Sequence, residues 1–429
     1  METRPMPAQP NSGDPVTSRS TSTSLARIAT GREASLFADD MESARDRISH
    51  VVTGRRILAI GAAGSIGSST LDVMMGFAPA AVHIVDQSEN SLAELMRRFR
   101  SGPEDVRVAD LRALPLDYGS PAMRYFLESE APYDLVLNFA ALKHVRTEKD
   151  PFSTLQMVDT NIMKQARLLG WLAERQGAKR YFSVSTDKAA NPSSLMGATK
   201  RAMEHVMFDR EVSEDLEAPV TSARFANVAF SNGSLLQSFG NRLARNEPIA
   251  CPREIRRYFV SLEESGEICT LAATLLDDRN IAIPRLNPEE HLVPLEMIAS
   301  EFIAQHGFTP RIYEDEIAAR RDVASDRAQG FWPLLLTPPD TAGEKLYEEF
   351  VAAGEEVTEV GLAALQAVPY RAAGKPVRAM LAELDKILSC EGDASNALTK
   401  QRLMDVIAMV EPEFLHTHQD SVLNLDQRA

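Results

Sequence analysis

Short apolar runs alternate with helix-period stretches along the first half of the chain. Arg56-Ile-Leu-Ala-Ile60, Ala81–Val85, Leu135–Phe139, Tyr181–Val184 and Val220–Phe225 read as buried strands. Between them, helical spacing of apolar residues recurs around 69–76, 90–100, 154–175 and 196–208. Such alternation predicts a parallel sheet covered on both faces. Residues 105–118 contain two candidate strands, and the pattern does not choose between them. Ahead of the first strand, Leu36, Phe37, Met41, Ile48 and Val51 predict a lead-in helix ending at Gly54. Beyond about residue 226 loops and helices take over, and 376–390 and 398–410 read as helices at the C-terminus.

The expected architecture is α/β: a Rossmann-type, doubly wound parallel sheet, a smaller C-terminal substrate-binding lobe and a helical appendage. The expected division is a disordered tail over 1–34, a dinucleotide-binding domain with its lead-in helix over 35–225, a lobe over 226–350 and the appendage over 351–429. The tail assignment rests on composition, since Thr17-Ser-Arg-Ser-Thr-Ser-Thr-Ser24 offers little to bury. No apolar stretch is long enough to span a bilayer, and residues 1–34 lack the apolar core of a secretory signal.

A formal charge of -15 argues against a non-specific nucleic-acid binder, which needs a basic face. A local cationic cluster can still hold a small anion. Cys251, Cys269 and Cys390 are scattered and odd in number, so no disulfide framework is expected and the simplest setting is cytoplasmic. Neither they nor the eight histidines show metal-ligand spacing, and the pair His416 and His418 reads as a solvated tail.

The first strand runs into Gly61-Ala-Ala-Gly64-Ser65-Ile66-Gly67, which opens a helix. Glycines there allow a tight turn and a close approach of a pyrophosphate to the positive helix end. Asp86 closes the second strand, where a carboxylate can bind the adenosine ribose and repel an added 2′-phosphate, favouring NAD over NADP. Asp117 either lies near the adenine or belongs to a surface turn. Ser185-Thr186-Asp187-Lys188 ends the strand Tyr181–Val184, on the ligand side of an open sheet. Met196 and Lys200 follow, four apart and so on one helix face.

Several motifs together carry a resemblance. They are Gly61–Gly67, Asn138-Phe-Ala-Ala-Leu-Lys-His144, Thr160-Asn161, Ser185-Thr-Asp-Lys-Ala-Ala-Asn-Pro192, Met196–Lys200, Arg224-Phe-Ala-Asn-Val228, Arg256-Arg-Tyr-Phe259 and Gly343-Glu-Lys345. Over roughly residues 54–350 the chain resembles the extended short-chain dehydrogenase/reductases, most closely the UDP-N-acetylglucosamine 4,6-dehydratase branch among polysaccharide-biosynthesis proteins. That resemblance implies an NAD(P)-dependent carbon–oxygen lyase acting on a UDP-sugar. C4 is oxidised, the acidified C5 proton is removed, water leaves from C5/C6, and hydride returns to C6. By likeness Lys188 is the C5 base and Asp187 the acid. The first role requires a lowered pKa and the second a raised one, and mutual pairing pushes both the other way.

One departure stands out. The tyrosine usual in the wider superfamily, four residues before the lysine, is Met196 here, which cannot accept a proton. Thr186 could instead hydrogen-bond the C4 hydroxyl, with Lys200 or Lys188 drawing the proton onward, or Met196 is plain core. Lys200 is also expected on the nicotinamide ribose, with Ala140 and Ala141 beside the cofactor. Lys143, His144, Asn227, Ser231, Ser234, Arg257 and Glu344 are expected on the sugar or its phosphates. For His144 a structural role is an equal reading, and for Glu344 a helix-start charge. Arg257 has the charged fork suited to a diphosphate. The likeness also implies a homo-oligomer, since this fold commonly pairs through helices of the Rossmann domain. A sugar-nucleotide 4-epimerase and a non-catalytic dinucleotide-binding protein are the alternatives. An epimerase needs no C5 base or C6 acid, so the Asp187-Lys188 pair points away from it.

Overall fold

A computed structural model of the chain describes residues 25–101, 108–143, 150–212, 216–338, 347–373, 376–389 and 398–417. His144 and Glu344 lie outside these residues. The strands, in chain order, begin with β1 (Arg56–Ile60), β2 (Ala81–Asp86), β3 (Asp110–Pro115), β4 (Leu135–Asn138), β5 (Tyr181–Val184) and β6 (Val220–Ala223). They continue with β7 (Asn227–Val228), β8 (Ile249–Pro252), β9 (Arg256–Val260), β10 (Asn280–Pro284) and β11 (Leu292–Pro294). The last are β12 (Thr309–Tyr313), β13 (Phe331–Thr337), β14 (Thr358–Glu359) and β15 (Leu365–Pro369).

The main sheet has the order β14-β15-β10-β6-β5-β4-β1-β2-β3. From β3 to β10 every pairing is parallel, as in Ile57 opposite Val82 on one side and Leu135 on the other. This is a Rossmann-type sheet, and its order reverses between β1 and β4, where a crevice opens beyond the strand ends. The central strands are buried on both faces, so they read as continuous apolar runs and not as alternating ones. Helices Ser65–Met75 and Leu262–Leu275 pack together on one face, with Leu71, Met74, Ile268 and Leu271 in their shared core. Helix Leu195–Phe208 lies on the other face.

Between residues 105 and 118 the strand is Asp110–Pro115, and the lead-in region is two short helices, Ala38–Ser43 and Arg45–Val52. The expected domain limits need correction. Residues 25–30 are helical, with Ile28 and Ala29 buried in the second lobe's core, so the built structure starts before residue 35. Arg32 anchors this segment with a forked pair of bonds to Glu264 at 2.9 and 2.6 Å. Strand β10 and helix Leu262–Leu275, expected in the lobe, belong to the main sheet and its cover. So do β14 and β15, which join antiparallel within the stretch expected to be purely helical. The lobe itself is built on a parallel sheet, β12-β13-β8, over a core of Phe239, Ile298, Phe302 and Trp332.

Candidate active site

The crevice at the β1/β4 switch is a cleft of about 830 Å³. Gly61 ends β1 with φ +69°, and a Cβ there would lie 2.5 Å from the Ala140 nitrogen. A Cβ on Gly67 would lie 2.5 Å from the Ala62 Cα, so these two glycines let turn, helix and β4 close on one another. Gly64 meets no such crowding. It caps helix Ser65–Met75 without any side-chain hydrogen bond, leaving the positive helix end facing the cleft. Asp86 lies at the end of β2, its carboxylate accepting from the Ala63 N–H at 3.2 Å and the Ser88 N–H at 3.0 Å. A glycine turn, an uncapped helix end and a carboxylate one strand away fit the pyrophosphate and ribose of a dinucleotide.

Asp117 also lines the cleft, and it is paired. Burial pushes its carboxyl up, but the Lys164 ammonium and the Gly119 N–H outweigh that and hold it below the usual range. Lys164 is buried and projects from the helical segment after β4. Sequence reading left this partner out because its reach to residue 117 depends on how the helix packs.

The loop after β4 is fixed from beneath by two asparagines from the quoted motifs. Asn138 accepts from the Ala140 N–H at 3.0 Å and donates to Gln165 at 2.8 Å. Asn161 accepts from the Leu142 N–H at 2.8 Å and donates to the Leu142 carbonyl at 3.0 Å. It sits in a π-helical turn, Asp159–Met163, a widening frequent at functional sites. Ala140, Ala141 and Lys143 are thereby presented to the cleft. Loss of hydration in the cleft and then the Lys188 charge both lower the Lys143 pKa from its usual value.

At the end of β5, Thr186 begins a short 3-10 turn, Asp187–Ala189. Its hydroxyl donates to Asp187 at 2.7 Å. Lys188 Nζ lies 3.2 and 3.0 Å from the two Asp187 oxygens. Asp187 is buried, whereas the Lys188 side chain is 40% exposed and opens on the cleft. Burial would lower the Lys188 pKa, but Asp187 and then Glu348 outweigh it and raise it. Lys188 is thus held as an ammonium, the protonation state opposite to the one a C5 base requires. Bringing Lys188 into play means loosening its pair with Asp187.

Helix Leu195–Phe208 meets this turn closely. A Cβ on Gly197 would lie 2.4 Å from the Lys188 carbonyl oxygen, so glycine is what lets the helix approach. Met196 and Lys200 consequently face the cleft, both almost fully buried. Lys200 Nζ donates to the Val184 carbonyl at 2.7 Å. Burial lowers its pKa to about 8 against the opposing pull of Glu204.

Across the cleft lie Asn227, Ser231 and Ser234. Ser65 ties this side to the glycine turn by accepting from the Asn232 N–H at 3.0 Å. Arg257 is placed behind the cleft wall, with its Nε 3.2 Å from Glu348. Glu348 is a site residue that sequence reading missed, although it lies four positions beyond Glu344. Among the described residues no cluster of His, Cys, Asp and Glu could hold a metal ion, and no helix is long and apolar enough to cross a membrane.

The strand order and the glycine turn at the switch point define the class: a Rossmann-type dinucleotide-binding fold, with the buried Lys200 lining its crevice. More narrowly, residues 57–369 match the family model described as polysaccharide biosynthesis protein, and the chain belongs to that family. An uncharacterized membrane protein of Methanocaldococcus jannaschii is 26% identical over 307 residues, 71% of this chain and 82% of that one. A UDP-N-acetylglucosamine 4,6-dehydratase (inverting) of Campylobacter jejuni is 27% identical over 238 residues, 54% of this chain and 67% of that one. Among solved structures, Pen from Bacillus thuringiensis superposes with a TM-score of 0.60 at 22% identity, covering 74% of this chain and 88% of that one. This last likeness bears on fold alone.

Proposed function

We propose that this chain is an NAD(P)-dependent sugar-nucleotide 4,6-dehydratase, acting on UDP-N-acetylglucosamine or a close relative. The observation that carries the reading is the Asp187–Lys188 pair opening on the same cleft as the uncapped helix end and Lys200. The relatives named as UDP-N-acetylglucosamine 4,6-dehydratases support the same assignment. An epimerase has use for Lys200 but none for a second lysine–carboxyl pair. UDP-glucose 4-epimerases are also among the relatives, which keeps that activity as the alternative outcome of the test.

Gly61, Gly64, Ser65, Ile66, Gly67, Asp86, Ala140, Ala141 and Lys200 would hold the dinucleotide, with Asp117 near its adenine. Asp86 favours NAD. When bound, the nicotinamide supplies reversible hydride transfer, so the net reaction needs no external reductant. Thr186 hydrogen-bonds the C4 hydroxyl, and Lys200, already close to neutrality in its deprotonation, receives the proton. Once C4 is a ketone, the C5 hydrogen is acidic. As a sugar hydroxyl displaces Lys188 from Asp187, the ammonium proton passes to Asp187; the neutral Lys188 amine then removes the C5 proton, and Asp187 gives its proton to the C6 oxygen, which departs as water. Lys143, Asn227, Ser231 and Ser234 bind the sugar and phosphates, with Arg257 lending positive charge from behind, and His144 and Glu344 belong to the same proposed set.

The test is incubation with UDP-N-acetylglucosamine in deuterated water, read by mass spectrometry and NMR. A 4-keto-6-deoxy product, lighter by one water, with deuterium at C5 is expected. The C4 epimer as product identifies an epimerase, and tight NAD binding without turnover of any sugar nucleotide defeats the enzymatic reading. Lys188→Ala should abolish C5 deuterium uptake while NAD still binds; unchanged uptake removes Lys188 from the mechanism.

A further inference from the structure

Glu348 plays no part in the chemistry above, yet it reaches that site from behind. Its Oε1 accepts from Asn227 Nδ2 at 2.5 Å and lies 3.2 Å from Arg257 Nε, while its Oε2 accepts from the Tyr258 N–H at 3.0 Å. Its side chain is 4% exposed and that of Arg257 12%. A carboxylate this buried keeps its charge only where such donors converge on it. The strands that supply them, β7 and β9, pair in parallel with Asn227 opposite Phe259, so Glu348 ties its own segment to both.

Glu348 also feels the catalytic pair. Burial and then the Asp187 charge push its pKa up, while Arg257, the Tyr258 N–H and Lys188 oppose them. The charged groups that act on Lys188 are Asp187, Glu348 and Arg257, and Lys188 in turn acts on Lys143, on the loop after the neighbouring strand β4. Asp187 and Glu348 with Lys188 and Arg257, two carboxylates and two cations, therefore form one electrostatic unit at the cleft wall. Removing one carboxylate leaves the positive charges in excess.

We propose that Glu348 is a positioning residue of this site: it aims Asn227 and Arg257 and adds a second negative charge beside the Asp187–Lys188 pair. This rests on the dehydratase reading, in which Lys188 must deprotonate and Asn227 must meet the sugar nucleotide. Arg257 is kept from swinging into the cleft, and Lys188 is kept charged until substrate displaces Asp187.

The experiment uses the full-length chain loaded with NAD. Glu348→Gln keeps an acceptor oxygen for Asn227 and removes the charge. The rising limb of C5 deuterium uptake against pH should then move down by about one pH unit, with KM for UDP-N-acetylglucosamine within about threefold of wild type. Glu348→Ala also releases Asn227 and Arg257, so KM should rise about tenfold or more. Should the alanine variant fail to fold, the glutamine variant decides.

A readout independent of turnover is an NMR titration of reductively ¹³C-methylated lysines, with the Lys188 signal assigned by Lys188→Arg. Its midpoint should fall in Glu348→Gln. An unmoved Lys188 midpoint, or a loss of thermal stability alone, overturns the positioning role and leaves the dehydratase reading standing. A wild-type protein inert towards UDP-N-acetylglucosamine defeats the dehydratase reading, while the titration still decides whether Glu348 governs Lys188.

Discussion

Lys200 illustrates how one side chain can be tuned by burial without a partner of opposite charge in contact. Its ammonium donates to the Val184 carbonyl and lies 3.0 Å from the Met203 sulfur, neither of which compensates a buried charge fully. Its pKa of about 8, against the ordinary 10.5, means that folding favours the neutral amine. Between those two values the unfolded chain binds the extra proton, so this residue's contribution to stability rises as pH rises through that window. In the proposed reaction the same shift would let Lys200 accept a proton from about pH 8 upward, in place of the tyrosine that Met196 replaces. Lys200→Arg keeps a permanent cation, so C4 oxidation should fall by roughly 100-fold or more and lose its rise near pH 8. Reduced nicotinamide formed in a single turnover across pH measures both. A variant that retains the limb near pH 8 assigns it to another group.

Helix Leu195–Phe208 carries Lys200 on one face and a buried charge cluster at its centre. Arg224, at the end of β6, binds Glu204 at 2.8 and 2.6 Å and Glu355 at 2.6 and 3.0 Å, with Arg201 joining both carboxylates. Glu204 also accepts from the Ser185 hydroxyl at 2.6 Å, so the cluster fixes the residue just before Thr186 and Asp187. Burial would raise the Glu204 pKa, but Arg224, Arg201 and Ser185 outweigh it and lower it to about 2. A carboxyl so depressed stabilises the fold above its usual value of 4.5, and that contribution is lost as pH falls from there towards 2. Glu204→Gln leaves Arg224 partly unpaired in the interior and should cost about 3–5 kcal/mol by urea denaturation at pH 7. That cost should shrink in acid, and a pH-independent difference would show that packing, and not charge, holds the helix. Strands β1, β2, β4, β5 and β6 were legible from their apolar runs because both faces of the sheet are covered there, and the glycine turn from its strand–turn–helix context; β3, at the sheet edge and only partly buried, was not singled out by the pattern. Strand β15 was not, since Leu365–Pro369 pairs with β10 some eighty residues earlier and no local period announces it. Within the site, Thr186, Asp187, Lys188 and Lys200 follow from sequence position at a strand end and one helix face. Glu348 and Lys164 do not, because each reaches its partner only through tertiary packing.

Across the molecule, the two C-terminal helices decide which surfaces are free. Val377–Leu388 and Lys400–Ile407 place Met380, Leu384, Leu403 and Ile407 in one core with Leu195, Ala198, Met203 and Met207. The second also touches Pro151–Val158, and Arg201 and His205 reach Glu411 at 3.3 and 3.2 Å. All fourteen residues of Leu195–Phe208 are buried within a single chain, with Lys400–Ile407 among the elements packed on the helix. This helix is consequently closed to a second copy unless the appendage leaves. A homo-oligomer of the full chain would have to use other surfaces, whereas a chain truncated before residue 376 would expose a broad apolar face. Deletion of residues 376–429 should therefore lower the melting temperature and drive self-association, seen by light scattering as a mass that grows with concentration. The full-length chain should keep one concentration-independent mass. Aspartate at both Ala198 and Ala202 provides the control: in the full chain it should prevent folding, because these positions are interior. A full-length protein that folds and keeps its mass with both aspartates would mean that the appendage does not cover the helix in solution.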